Sequence, residues 1–145
     1  SIGDKEAVYR AFSLTKADKL KDKKFAILSG GEKQKIVIAR AVAQTTPWML
    51  LDEPIASLDI KNQIEIMQTL SELNRQEGVS VLMVLHDINL AGIYCDRLIM
   101  LKDGQVIAAG NTNECLCEEN LKKLYDISFF HMDTKKGQRY YYAEI

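Results

Sequence analysis

The apolar residues of the chain form three helical patterns and two continuous runs. In residues 4–26 they recur every three or four positions within a polar background, which predicts a small helix followed by a polar connection. Another helical pattern begins near Asp59, and Gly78 is expected to end it. Its apolar face is predicted to consist of Ile60, Ile64, Met67, Leu70 and either Leu73 or Asn74.

The remaining helical pattern begins at Ser29. Glu32 follows three positions later and completes an S-x-x-E capping box, which is typical of a helix start. We expect this helix to run to about Ala43, because the chain must have left the helical conformation before Pro47.

The two continuous apolar runs are short and predict strands. Trp48–Leu51 and residues 79–85 resemble strands that are buried on both faces of a parallel sheet. The order strand, helix, strand predicts an α/β fold with parallel central strands. Beyond them we expect a short helix at 89–94, a hairpin of 98–101 with 106–109, a helix at Glu118–Tyr125 and a last hairpin strand after Gly137.

Composition narrows the class of protein. The 145 residues carry 19 basic and 20 acidic side chains, so no broad basic field is available to bind nucleic acid or anionic lipid. No apolar run reaches the roughly 18 residues of a membrane span. Cys95, Cys115 and Cys117 lack the C-x-x-C spacing of zinc and redox sites, so reduced thiols are expected.

The Ser29-Gly30-Gly31 segment is the first candidate site. A helix N-terminus presents free backbone N–H groups and the positive end of the helix dipole, which together bind anions. Two glycines leave room for a phosphate, and Ser29 adds a hydroxyl donor. The alternative is a capped helix without a ligand.

Asp52 and Glu53 are the second candidate, because they directly follow a predicted strand. Ligands of open parallel sheets bind beyond the carboxyl ends of the strands. Asp52 suits Mg²⁺, which prefers oxygen ligands, and Glu53 could act on a water that attacks a phosphate. His86 follows the second predicted strand and could donate to a phosphate oxygen. An acidic loop and a structural histidine are the alternatives.

Asp59 and Ser57 have ordinary interpretations as a helix cap and a turn residue. His131 has no neighbouring motif, and we assign it no role.

Taken together, these residues resemble the ATP-binding cassette (ABC) ATPase family. Five motifs occur in the family's order: the signature Leu28-Ser29-Gly30-Gly31-Glu32, the Walker B strand Met49-Leu50-Leu51-Asp52, the catalytic glutamate Glu53, the D-loop Ser57-Leu58-Asp59 and the switch histidine His86. In such proteins two subunits pack head to tail around two ATP molecules, and each signature closes on the ATP that the other subunit holds.

The resemblance implies a role for each matched residue. Asp52 would help to hold Mg²⁺, Glu53 would polarise the attacking water and His86 would contact the γ-phosphate of ATP. Asp59 would act across the subunit interface. The signature residues, Leu28 through Glu32, would contact the partner's ATP.

Two motifs of the family are missing from the chain. The 145 residues contain no G-x-x-x-x-G-K-[ST] phosphate loop (P-loop). The glutamine-bearing loop that normally precedes the family's helical subdomain is missing too. We therefore expect the C-terminal part of a RecA-like ABC ATPase core, with parallel central strands, flanking helices and terminal β-hairpins. Its expected parts are the end of the helical subdomain (1–27), the signature-to-switch region (28–110) and a C-terminal helix and hairpin region (111–145). Alone, the chain is expected to bind ATP weakly or not at all.

The style of residues 86–104 resembles importers of iron–siderophore, haem or cobalamin. The resemblance then implies a homodimer of ATPase subunits, a transmembrane permease, an indirectly acting solute-binding protein and a place on the cytoplasmic face of the cell membrane. Two alternatives stay open: the head of a chromosome-maintenance or DNA-repair ATPase, and an interaction module without catalysis.

Overall fold

The computed structural model describes residues 2–135 and 137–144. For Ile2 it describes the backbone alone. The chain divides into two compact units, residues 1–85 and 86–145. The first unit contains α1 (Ile2–Leu14), α2 (Gly30–Val42), β1 (Trp48–Leu51), α3 (Ile60–Glu77) and β2 (Ser80–Met83). Single 3₁₀ turns at Asp18–Leu20 and Phe25–Ile27 lie between α1 and α2.

The first unit has a β-α-β arrangement. Strands β1 and β2 pair in parallel, with Leu50 opposite Leu82, and α3 connects them. This confirms the predicted α/β class with parallel strands. Helix α2 packs against both α1 and α3. The buried apolar side chains of the helices and of the α1–α2 connection are Ala11, Ala17, Leu20, Leu28, Ile38, Ala39, Ile66, Met67, Leu70 and Leu73.

The prediction that both strands are buried on two faces is wrong. Met49 is 5% exposed, but its neighbours Trp48 and Leu50 are 60% and 73% exposed. On β2, Leu82 is 50% exposed. Side chains alternate between the faces of a strand, so one face of this sheet is covered and the other is open. Among the described residues, no element covers the face that carries Leu50 and Leu82.

Helix α3 follows its prediction at both ends. Asp59 caps its N-terminus, and Gly78 ends it in the left-handed conformation with φ 68°. The predicted apolar face is correct only over the later turns. Met67 is 1% exposed, whereas Ile60 at the start is 75% exposed.

The second unit consists of two antiparallel hairpins and three helices. Its elements are α4 (Ile88–Tyr94), β3 (Arg97–Lys102), β4 (Gln105–Asn111), α5 (Thr112–Cys115), α6 (Glu118–Tyr125), β5 (Phe129–Asp133) and β6 (Arg139–Ala143). Both predicted hairpins are present. Asp103 and Gly104 connect the first, each with positive φ, as a tight two-residue hairpin loop requires. Helices and hairpins share a core of Met100, Cys115, Leu116, Leu121 and Tyr141.

The sequence reasoning did not predict α5, which spans only four residues. No helix within the described part of the chain is long and apolar enough to cross a membrane.

Candidate functional site

The turn at Ser29 is a complete capping box. Ser29 Oγ accepts a hydrogen bond from the Glu32 backbone N–H at 3.3 Å, and Glu32 Oε2 accepts one from the Ser29 backbone N–H at 2.9 Å. The Ser29 N–H bond and a 3.0 Å contact from Lys23 Nζ hold the Glu32 pKa at about 2, below its ordinary 4.5. Leu28, which precedes the cap, is buried against Ala17 and Leu20. The helix start is therefore anchored on one side and exposed on the other.

The two glycines of this turn have different environments. Gly30 is exposed, and a Cβ placed there would meet only Leu58 Cδ2 at an ordinary 3.5 Å. Gly31 is buried, and its Cβ would lie 2.2 Å from Asn62 Oδ1. One reason for glycine at position 31 is thus the Asn62 amide, which a Cβ would displace where α2 packs against the start of α3. Access for a phosphate is an additional reason that the sequence alone suggested.

Asp59 lies at the start of α3, beside these glycines. Its carboxylate accepts two hydrogen bonds from Asn62, one from the backbone N–H at 2.8 Å and one from Nδ2 at 2.8 Å. The backbone bond is the larger cause of its lowered pKa. The helix-cap interpretation of Asp59 is therefore correct. The structure also brings Asp59 and the Ser29–Gly31 turn together through Leu58 and Asn62.

Asp52 and Glu53 are exposed at the carboxyl end of β1. Glu53 has φ 47° and Ser57 has φ 65°, in a region that residues other than glycine adopt uncommonly. Such backbone strain is concentrated at ligand sites and switch segments. The loop is anchored at the buried Ile55, whose carbonyl accepts a hydrogen bond from Gln63 Nε2 at 3.3 Å.

His86 belongs to the second unit and is exposed. It immediately precedes Asp87, whose side chain caps α4 by accepting from the backbone N–H groups of Asn89 and Leu90 at 2.9 and 2.8 Å. His86 therefore lies directly before the capped start of α4.

The model for ABC transporters matches residues 3–56 of the chain. The ferric enterobactin transport ATP-binding protein FepC of Escherichia coli (strain K12) is 41% identical over 130 residues, which cover 90% of this chain and 48% of FepC. The chain belongs to the ABC transporter ATPase family. It spans about half the length of this curated relative.

Solved structures agree with the family assignment. The chain matches an ABC transporter of the metal-chelate type, in an inward-facing conformation, with a TM-score of 0.90 and 26% identity over 97% of this chain and 57% of that one. It also matches a dimeric, post-hydrolysis state of the ATP-binding cassette MJ0796 bound to ADP and phosphate. That match has a TM-score of 0.63 and 36% identity, over 74% of this chain and 46% of MJ0796. The fold is therefore that of a partial ABC ATPase core.

The donor set of this ABC ATPase chain fits a magnesium ion. Over residues 2–135 and 137–144, no group of three or more His, Cys, Asp or Glu side chains is arranged to hold a metal. Magnesium does not require such a group, because it keeps several waters and binds proteins through one or two carboxylates together with substrate phosphates. The exposed carboxylate of Asp52, at the end of a parallel strand, meets that requirement.

Sequence reasoning missed Asn62, Lys35 and Glu65. Lys35 on α2 and Glu65 on α3 form a 2.7 Å ion pair, which lowers the Glu65 pKa. In sequence these are ordinary polar helix positions, and no motif distinguishes them. The only signal in the sequence is position. Lys35 lies just after the first turn of α2, which follows the signature, and Glu65 lies just after the first turn of α3, which follows the D-loop.

His131 also has a structural partner. Its Nδ1 lies 2.8 Å from Glu118 Oε1, and its ring centroid lies 5.7 Å from that of Tyr141. The pair joins α6 to β5 within the second unit, so His131 has a structural explanation.

Proposed function

We propose that this chain is the part of an ABC importer ATPase that carries the signature and the hydrolytic carboxylates. The observation that carries the proposal is the exposed, capped N-terminus of α2 beside the Asp59 cap of α3. Helix N-termini bind anions through free N–H groups. The Oγ of Ser29 accepts from Glu32, which leaves its hydroxyl hydrogen able to donate to a phosphate oxygen.

Each site residue then has a chemical task. Ser29, Gly30 and Gly31, with Leu28 and Glu32 holding their turn, contact the γ-phosphate of ATP bound to a second ATPase subunit. Asp59 acts across the same interface. The dimeric state of MJ0796 supports a partnership of two ATPase subunits.

The carboxylates serve the ATP of the chain's own subunit. Asp52 would hold Mg²⁺, which neutralises charge on the phosphates when bound. Glu53 orients and polarises the water that attacks the γ-phosphorus, as the bond to the ADP oxygen breaks. His86 donates a hydrogen bond to a γ-phosphate oxygen.

A P-loop has to come from elsewhere, because none occurs in these 145 residues. We expect the chain alone to bind ATP with a Kd weaker than the micromolar range. Isothermal titration of the chain with Mg²⁺ and ATP measures this directly. A clear micromolar Kd would contradict the expectation.

Exchange of a segment in FepC tests the whole proposal. The 130-residue matched segment of FepC is replaced by this chain, and ATP hydrolysis by the purified chimera is measured. We expect turnover that is lost in Glu53→Gln and kept in the matched control Glu114→Gln, an exposed carboxylate on α5. Equal turnover in both variants would contradict the role of Glu53. A folded chimera without turnover would favour a non-catalytic interaction module.

The proposed substrate class is an iron chelate. FepC is a ferric enterobactin transport protein, and the matched solved transporter is of the metal-chelate type. Import also requires a transmembrane permease, a solute-binding protein that acts through it and a position on the cytoplasmic face of the membrane. Uptake of radioactive ferric enterobactin by cells whose only FepC is the chimera tests this assignment. Active ATPase without uptake would contradict it.

A chromosome-maintenance or DNA-repair role is less well supported. The net charge of −1 gives the chain no overall basic excess that would attract DNA, and the relative and structures described above are transport proteins or cassettes. ATP hydrolysis by the chimera that rises on addition of DNA would favour that alternative.

A further inference from the structure

Asn62 contacts two parts of the candidate site, Gly31 of the signature turn and the Asp59 carboxylate. Its side-chain amide lies in the first turn of α3, directly against the backbone of Gly31 on α2. A Cβ at position 31 would lie 2.2 Å from Asn62 Oδ1 and 2.5 Å from its Cγ. These distances are far inside van der Waals contact, so an alanine at position 31 and the observed Asn62 side chain cannot coexist.

The other edge of the same amide holds Asp59. Asn62 Nδ2 donates to Asp59 Oδ2 at 2.8 Å, while the Asn62 backbone N–H donates to Oδ1. A shift of the Asn62 side chain large enough to clear a Cβ at position 31 therefore also disturbs its bond to Asp59. A turn further along both helices, the Lys35–Glu65 ion pair adds a second connection between α2 and α3.

We propose that Asn62 is a positioning residue, whose amide holds the Asp59 carboxylate and the Ser29–Gly31 turn in one fixed geometry. The amide occupies the space that a Cβ at position 31 would take, so a side chain there would displace it. The consequence for ATP hydrolysis rests on the proposed function, whereas the coupling between the two helices is measurable without nucleotide.

A double-mutant cycle on the 145-residue chain tests the coupling. Gly31→Ala, Asn62→Ala and the double variant are unfolded in urea, with Gly30→Ala as the matched control. Alanine normally stabilises a helix relative to glycine, so Gly30→Ala should keep or raise the urea midpoint. Gly31→Ala should lower it, and the double variant should recover at least about half of that loss.

Two results of the cycle would overturn the proposal. One is a double variant whose midpoint loss equals the sum of the single losses. The other is a Gly31→Ala chain as stable as Gly30→Ala with an unmoved Asn62 amide resonance.

A spectroscopic measurement remains available if Gly31→Ala does not fold. The carboxyl resonance of Asp59 is titrated in wild type, in Asn62→Ala and in Asn74→Ala, which removes an amide at the other end of α3. Loss of the Nδ2 donor should raise the Asp59 pKa in Asn62→Ala alone. An unchanged Asp59 titration in Asn62→Ala would contradict the positioning role.

The FepC chimera separates this inference from the proposed function. In an active chimera, Asn62→Ala should lower kcat several-fold with a smaller change in KM, because the groups that it orients act after ATP binds. Wild-type kcat in that variant overturns the positioning role and leaves the proposed function intact. An inactive chimera, combined with recovery in the double variant, supports the coupling and rejects the proposed function.

Discussion

Replacing Ser29 by alanine tests whether the signature turn is held by its capping box. The change removes the Oγ that accepts the Glu32 backbone N–H at 3.3 Å. The reciprocal bond from the Ser29 backbone N–H to Glu32 Oε2, at 2.9 Å, does not depend on the serine side chain. Loss of an N-cap costs about 0.5–2 kcal/mol. The bond is long and water can replace it at this exposed position, so we expect about 0.5–1 kcal/mol.

Urea unfolding followed by fluorescence measures this loss. Trp48 is the single tryptophan of the chain and lies in the same unit as Ser29. With a urea dependence of about 1–3 kcal/mol per molar, the midpoint should fall by roughly 0.2–1 M. Backbone amides in the first turn of α2 should exchange with solvent about 2- to 5-fold faster, because local opening requires correspondingly less free energy.

Two other variants make the measurement specific. Ser13→Ala changes an exposed serine in the last turn of α1, where alanine is the better helix former, and should not lower the midpoint. Ser29→Asp keeps a capping oxygen and should stay near wild type. The reasoning is refuted if Ser29→Ala retains the wild-type midpoint and exchange rates, or if Ser13→Ala causes an equal loss.

Three further predictions concern other contacts. The Glu32 pKa of about 2 lies below its ordinary 4.5, so the stability that this carboxylate contributes is complete above pH 4.5 and is lost as the pH falls through 2. An NMR titration of the carboxyl carbon should show that midpoint, and Glu32→Gln should reduce the acid-dependent loss of stability. Leu121→Ala should cost about 2–5 kcal/mol in thermal unfolding, because Leu121 is 0% exposed. Val106→Ala, at a position 60% exposed, should cost less than about 0.5 kcal/mol. A double-mutant cycle on the part-exposed Lys35–Glu65 pair should give a coupling of about 0.2–1 kcal/mol that shrinks in high salt, and an unchanged coupling in 1 M salt would contradict a screened ion pair.

Local signals predicted the elements well. The capping box at Ser29, the left-handed stop at Gly78 and the Asp103-Gly104 hairpin turn all appear where the sequence placed them. Each of these features depends on hydrogen bonds or dihedral angles within a few residues, so a short window of sequence contains its physical cause.

The burial of the strands could not be predicted in the same way. An unbroken apolar run such as Trp48–Leu51 shows that both faces of a strand tolerate burial, but not that a neighbour covers them. In this structure Met49 is covered and Leu50 is open. The four-residue helix α5 was missed because so short a segment has no helical periodicity to detect.

In the candidate site, too, some features could be predicted from the sequence and others depend on the packed fold. The sequence by itself determined which residues are candidates for the chemistry, since the order of Ser29, Asp52, Glu53, Asp59 and His86 is a linear pattern. The tertiary structure alone decided that Gly31 faces the Asn62 amide, and that this amide also binds Asp59. The physical reason is that such a contact joins positions 31 residues apart through the packing of two helices. Periodicity indicates which way a side chain points along its own helix, and only the packed fold determines what it meets.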